Sequence, residues 1–350
     1  MASFWMRALR TCVSMSRPAA VLVAVGSMAM LTAACRGADT GKPVYDDPAA
    51  TDADYPLQGE YAGEIEIDGQ RIPFGLQLIA EGEGRFQAVG YPGGLPGAGA
   101  DMSQKFTGEG VREGEGDEAV VKIEGTDAEG VTRRGLIRDG ALVVLSGDNE
   151  IATLPKVERK SPTLGKKPPE GAVVVFDGES LDGVEGGRMT DDGLLMQGVR
   201  SKATFGDASL HIEFRLPYQP QDRGQARGNS GAYVQGCYEV QMLDSFGLEG
   251  LDNECGGIYK AAAPAVNMCL PPLTWQTYDI DFTAPRFEDG KKVANARMTV
   301  RHNGVVIHDD VEIPEGTPGG TNGEGLAGPL FLQDHGNPVR YRNVWILPKS

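Results

Sequence analysis

Histidine and cysteine are scarce, with four and five copies among 350 residues, and the motifs that would put them to work are missing. No Cys-x-x-Cys and no His-Glu-x-x-His occurs, which removes the usual support for zinc centres and zinc proteases. Neither a Gly-rich phosphate loop nor a Gly-x-Ser-x-Gly elbow is present, so nucleotide-binding and serine-hydrolase readings lose theirs. Basic charge is also short. Lys and Arg number 33 against 49 Asp and Glu, a formal charge of −16, or about −19 without Arg7, Arg10 and Arg17. Nucleic acid and anionic lipid are poor partners for such a surface.

Long apolar runs are confined to the N-terminus. "AAVLVAVGSMAMLTAAC" follows three arginines with no acid before it and closes on small residues, the pattern of an export signal rather than a spanning helix. Residues 1–35 are read as signal peptide and lipobox, with Cys35 as the lipidation candidate, although Thr32 stands where a bacterial lipobox usually has Leu. The membrane would then be touched only through an N-terminal lipid anchor, placing the protein in the periplasm or cell envelope. In an oxidising compartment two of Cys237, Cys255 and Cys269 would pair. Cys255 with Cys269 is the favoured disulfide, and all three pairings stay open at this point.

Helical periodicity is absent and short alternating segments take its place, which makes the chain all-β. Residues 36–54 form a polar segment read as a disordered tether, and residues 55–158 a small all-β domain with turns at Asp68-Gly69, Gly84 and Asp139-Gly140. Within it "YPGGLPGAGAD" is a binding loop or the cover of a sheet edge. Residues 159–171, "KSPTLGKKPPEG" at their centre, are the linker. Residues 172–350 carry many short strands, including a hairpin at Asn303-Gly304, and fit a two-sheet jelly-roll sandwich.

Polar residues crowd particular strand faces. In "CYEVQML" Glu239 and Gln241 share one face, "FLQDHG" sets Gln333 with His335, "RYRN" sets Arg340 with Arg342, and "HIEFRL" sets His211, Glu213 and Arg215 together. Gln, His, Arg and Tyr are types that hydrogen-bond sugar hydroxyls and carbonyl groups. Asn229, Ser230 and Tyr233 in "RGNSGAYVQG" fit the same surface, as does Tyr259 in "DSFGLEGLDNECGGIYK". Asp252 and Glu254 in that second loop offer oxygens to a divalent metal such as calcium, without an EF-hand pattern, and the sequence requires no cofactor. The spacing in "EVQMLD" weakens a two-carboxylate glycosidase, because Glu239 and Asp244 lie five residues apart and Gln241 holds the middle position.

Five ordered blocks, "VVVFDGESLDG", "RGNSGAYVQGCYEVQMLDSFG", "CGGIYKAAAPAVNM", "WQTYDIDFTAPRF" and "LQDHGNPVRYRNVWILP", closely resemble the 3-keto-disaccharide hydrolase domain family over Ala172 to Pro348. Val184 stands where the family's opening block usually has Trp. The resemblance implies a concanavalin-like β-jelly roll that cleaves glycosidic bonds of sugars oxidised at carbon 3, with an oligosaccharide or glycoside as substrate. A ketone there acidifies the carbon 2 proton, so the chemistry needs one base, one acid and donors for an enolate oxygen. His335 and Glu239 are the proton carriers, Asp244 a reserve, and Arg340 or Arg342 the enolate donor. Asn229, Ser230, Tyr233, Gln241, Gln333 and Tyr259 would position hydroxyls. The competing reading is a lectin-like module that holds a glycan without cleaving it. Trp275 and Trp345, which begin or occupy apolar strands, are expected in the core.

Overall fold

A computed structural model describes residues 41–349 apart from 68, 128 and 129. The export signal, Cys35 and residues 36–40 lie outside the described residues.

Two-residue turns set the first architecture. At Glu83-Gly84 and Asp139-Gly140 both residues have positive φ, between 51 and 74°, the geometry that lets adjacent strands reverse without splaying. Strands β1 (Gly59–Ile67), β2 (Gln70–Gly82), β3 (Arg85–Pro92) and β4 (Phe106–Glu113) are followed by β5 (Val120–Thr126), β6 (Thr132–Arg138), β7 (Ala141–Ser146) and β8 (Asn149–Val157). They pair in sequence order, and Glu60 opposite Val157 joins β1 to β8, closing a barrel. Closure removes the free edges that an open sheet would expose. Inward positions such as Tyr61, Leu78, Phe86, Val121 and Leu154 are fully buried and fill one end.

The rest is a sandwich. Strands β9 (Val173–Phe176), β10 (Val184–Glu185), β11 (Leu195–Met196), β12 (Val199–Phe205) and β13 (Ala208–Arg215) precede β14 (Ser230–Val234) and β15 (Tyr238–Met242). After a long loop come β16 (Trp275–Thr283), β17 (Arg286–Glu288), β18 (Lys291–Ala294), β19 (Ala296–His302), β20 (Val305–Ile313), β21 (Gly328–Leu332) and β22 (Arg340–Pro348). One sheet has the order β10-β12-β21-β14-β15. The other runs β11-β22-β13-β16-β19-β20, with β9 beside β22, while β17 and β18 form a separate hairpin. Asn303-Gly304 turns β19 into β20 with φ of 51 and 82°, the hairpin expected from the sequence. Ile212, Phe214, Val234, Val240, Leu332 and Tyr341 meet between the sheets.

Barrel and sandwich share buried surface. Ile79, Val89 and Tyr91 from the barrel's outside join the sandwich core beside Phe246 and Met268. The Gly/Pro loop of residues 91–101 belongs to this joint: Leu95 is buried, and Arg159 donates to the Pro96 carbonyl at 2.6 Å. Residues 41–54 are packed rather than a disordered tether, because they carry aromatics and acids that find partners. Tyr45 exchanges backbone hydrogen bonds with Tyr218 and stacks on its ring at 5.5 Å, and Asp46 pairs with Arg340. The disulfide expected between Cys255 and Cys269 is not formed. Cys237, Cys255 and Cys269 are buried free thiols; Cys255 meets the Tyr278 hydroxyl at 3.2 Å and Cys269 the Leu243 carbonyl at 3.6 Å, so interior hydrogen bonds take the place of a crosslink. Trp345 is buried as expected, whereas Trp275 is half-buried under the Arg342 guanidinium at 4.1 Å.

The linker is not free either. It lies across the outer face of the β13-containing sheet, where Thr163 and Lys166 bond Asp279 at 2.7 and 3.0 Å and the Gly165 amide donates to Glu213 at 2.5 Å. His211 sits between these acids, 2.9 Å from Asp279 and 3.5 Å from Glu213. Burial alone would raise both carboxyls, but His211 and the other donors bring each down to about 2. Burial would lower the His211 pKa, and the two acids together hold it up. The carboxylates therefore stabilise the fold above about pH 4.5 and lose that contribution as pH falls towards 2; the imidazolium contributes below about pH 6.5 and loses it as pH rises through its raised value. Glu213→Ala, which leaves His211 with Asp279 as its one carboxylate and strands the Gly165 amide, is expected to cost about 2 to 3 kcal/mol near pH 6. In urea titrations across pH, the gap from the parent should shrink as pH falls towards 2; a gap that does not change with pH would refute the assignment.

Candidate active site

Strand alternation sorts the β14 and β15 side chains. Ala232, Val234, Tyr238, Val240 and Met242 enter the core, so Gly231, Tyr233, Glu239 and Gln241 take the outer face. Register places Tyr233 opposite Glu239 and Gly231 opposite Gln241. Phe331 on β21 lies beside Tyr233, its ring 5.2 Å from the Arg200 guanidinium. Gln333 extends this row through a bond from its amide to the Gly231 carbonyl at 2.9 Å.

Glu239 dominates the face. It is 2% exposed, and its carboxyl leans over Gly231, where an added Cβ would stand 2.0 Å from Oε1. Only glycine leaves that space. The Tyr233 hydroxyl lies 2.7 Å from Glu239 Oε2 and 3.0 Å from the Pro318 carbonyl. One phenolic proton cannot serve two acceptors at once. The arrangement closes if Glu239 carries a proton and donates to Tyr233, which donates to Pro318. Burial pushes the Glu239 pKa up to about 8 against the opposing pull of the Tyr233 hydroxyl, so the carboxyl is protonated at neutral pH. Tyr233 itself is pushed up by burial and by Glu239, with Tyr259 adding to the effect.

A set of amides continues from the acid. Gln241 Nε2 donates to Gln225 Oε1 at 3.1 Å, Asn229 Nδ2 donates to the same oxygen at 3.1 Å, and Gln225 Nε2 donates to the Asn253 carbonyl at 2.8 Å. Asn229 Oδ1 is buried and has no hydrogen-bond partner among the described residues. Such an oxygen retains its capacity to accept a hydroxyl proton. Gln333 Nε2 reaches the Tyr233 oxygen at 3.4 Å.

The structure therefore groups Glu239, Tyr233, Gln241, Gln333, Asn229 and Tyr259. Tyr259 reaches the group by its backbone amide, which donates to the Glu239 carbonyl at 3.1 Å. Ser230 faces the interior instead, with its hydroxyl 2.6 Å from that of Tyr341. His335 does not continue the strand. An Asp334 side chain accepting the Gly336 amide at 2.9 Å turns the chain there, and His335 is exposed two residues beyond Gln333, with no hydrogen-bond partner among the described residues.

Three expected catalytic residues lie elsewhere. Asp244 is buried in an ion pair with Arg227 at 2.6 Å. Arg340 and Arg342 belong to β22 in the opposite sheet, where Arg340 binds Asp46 and Gln197, and Arg342 binds Glu213 at 2.7 Å. The pattern "RYRN" correctly gave them a common face, but it is the face under the linker. Asp252 and Glu254 are also occupied, by Lys260 at 3.7 Å and by the Gly250 and Leu251 amides. Among the described residues no group of three or more His, Cys, Asp and Glu is placed to hold a metal ion. Sequence reasoning missed Gln225, Gly231 and the Thr317 to Gly319 segment that covers Tyr233. Only the Pro-Gly-Gly of that segment gave a local signal, and at Gly319 a Cβ would stand 2.5 Å from the Tyr233 hydroxyl.

A comparison with curated proteins gives no match. Among solved structures, one described as a "putative glycosyl hydrolase" from Parabacteroides distasonis is 33% identical over 52% of this chain and 85% of its own, with a TM-score of 0.47. A second of the same description and organism is 19% identical over 52% of this chain and 95% of its own, with a TM-score of 0.39. The family model described as 3-keto-alpha-glucoside-1,2-lyase-like domain matches residues 171–347, the whole span of the sandwich that carries Glu239. By that match the chain belongs to the 3-keto-alpha-glucoside-1,2-lyase-like domain family.

Proposed function

We propose that this protein is an exported, carbohydrate-active enzyme that cleaves the glycosidic bond of 3-keto-glycosides at the Glu239 face. The observation that carries the reading is a carboxyl group kept protonated by burial, next to a row of amides and phenols suited to sugar hydroxyls. Membership of the 3-keto-alpha-glucoside-1,2-lyase-like domain family supports the choice of a 3-keto sugar as substrate. Attachment to the envelope through a lipid on Cys35 forms part of the same proposal.

The steps follow from the ketone. A base removes the proton on carbon 2, and the electron pair of that C–H bond moves into the carbonyl, leaving an enolate oxygen at carbon 3. Collapse of the enolate forms the double bond between carbons 1 and 2 and breaks the bond from carbon 1 to the aglycone oxygen. Glu239 gives its proton to that oxygen, which keeps the leaving group neutral. Water then adds across the double bond, with its oxygen at carbon 1 and a proton returned to carbon 2. His335, exposed at the end of the Gln333 row, is the candidate base. Gln333 Nε2 and the Tyr259 hydroxyl are the donors suited to the enolate, in place of the two arginines on the other sheet.

The purified chain should release the aglycone from a chromogenic 3-keto-glucoside and leave the unoxidised glucoside intact. Cleavage of both would favour two-carboxylate chemistry, and sugar binding with neither cleaved would favour the lectin-like module. If Glu239 is the acid, Glu239→Gln should lower kcat on a 3-keto-glucoside with an alkyl aglycone by about 10²- to 10⁴-fold. It should have far less effect with a p-nitrophenyl aglycone, which departs without a proton. On the alkyl substrate, activity should fall as pH rises through about 8, where Glu239 loses its proton; an unchanged alkaline limb in the Gln variant would remove Glu239 from the acid role. Gly231→Ala should reproduce the kinetic defect by displacing the carboxyl, while leaving the far-UV circular dichroism of the sheets unchanged.

A further inference from the structure

The barrel is packed at one end and open at the other. Toward the end where Tyr61, Phe86 and Leu154 lie, inward side chains are fully buried. Toward the opposite end, the inward residues Ile72, Phe74, Phe106 and Val144 are only half-buried although they sit inside a closed barrel. Phe74 and Phe106 stack at 6.3 Å between ring centroids. They border a cavity of about 640 Å³, to which Ile65 and Ile123 also contribute. That volume falls within the roughly 300 to 1,000 Å³ range of small-molecule sites, and an eight-stranded barrel is just wide enough to hold one small ligand.

The chemistry of the walls names the ligand. Ile65, Ile72, Phe74, Phe106, Ile123 and Val144 carry no hydrogen-bonding side-chain group, so a sugar would leave its hydroxyls unpaired there. The mouth is polar and of mixed charge, with Gln104, Arg133 and Ser146 bordering the same cavity together with Glu66, Asp127 and Arg134. Arg133 is held at that place by Asp127, with Nε 2.8 Å from Oδ2. Val131 and Ile151 line the cavity too and are 45% and 40% exposed, extending apolar surface outward. An apolar depth with a polar mouth matches a molecule with one long hydrocarbon tail and one polar head. Each methylene of such a tail that leaves water contributes about 0.8 kcal/mol.

We propose that the barrel binds a single-tailed amphiphile, with its acyl chain in the lumen and its polar head at Gln104, Arg133 and Ser146. This site is separate from the sugar-facing sheet and does not depend on the reading of that sheet.

Titration of the purified chain with cis-parinaric acid, a fluorescent fatty acid, tests it. Saturable fluorescence enhancement that palmitate displaces is the expected result. Val144→Trp, which fills the lumen, and Ile72→Arg, which charges it, should each weaken binding at least about tenfold. A parallel measurement needs no variant: a diazirine-bearing fatty acid, photolysed on the parent chain, should leave adducts on β2, β4, β5 or β7. Absence of saturable binding, binding that the lumen substitutions do not weaken, or adducts confined to residues outside the barrel would each overturn the proposal.

Discussion

Arg227 and Asp244 meet in a buried ion pair, and much of the molecule is registered on it. Arg227 Nε donates to Asp244 Oδ2 at 2.6 Å, both terminal nitrogens reach the Ala80 carbonyl of the barrel at 3.3 Å, and the Asp244 amide returns to the Arg227 carbonyl. Their side chains are 6% and 0% exposed. Removing either partner from such a pair leaves a buried charge, at a cost of about 3 to 5 kcal/mol. Immediately after Arg227, the Gly228 and Asn229 amides are fixed by Gln219 and Asn337, and β14 begins at Ser230. One guanidinium thus ties a carbonyl of the barrel to the turn that leads into the strand facing Glu239. This is why Asp244, chemically suited to catalysis, is buried in a structural ion pair and out of reach of a substrate.

Glu213 and Glu239 show how the two outer faces of one sandwich differ. Both are buried, yet one titrates at about 2 and the other at about 8. Glu213 gathers a histidine, an arginine, an asparagine and a backbone amide. Glu239 has one phenol and no cation. Burial penalises both charged forms, and only the first face supplies enough donors to reverse the penalty. The face beneath the linker is accordingly an electrostatic fastening, and the other retains a transferable proton.

Strand alternation made the fold and part of the site legible in the sequence. Two-residue turns such as Asn303-Gly304 and Asp139-Gly140 fix hairpins locally, and a period of two assigns Glu239 and Gln241 to one face without knowledge of the partner strands. Sheet membership is not local. Nothing in "RYRN" says that β22 joins the sheet opposite β14, so its arginines were grouped correctly with each other and wrongly with Glu239. The role of Gly231 was equally hidden, because a strand glycine signals a close approach without naming what approaches. Residues 41–54 and the linker were misread for a related reason: their polar composition suggests free chain, while their partners, Tyr218, Arg340, Glu213 and Asp279, are distant in sequence.

The path of the chain carries one more implication. Residues 45 and 46 lie against the sandwich, the chain then builds the barrel from Gly59 to Val157, and residues 161–166 return to the sandwich. Because β1 and β8 are neighbours, the barrel's entrance and exit stand side by side. The barrel precedes every sandwich strand, yet chain on both of its sides is fastened to the sandwich, so it is held by two stems where a domain on a single hinge would be held by one.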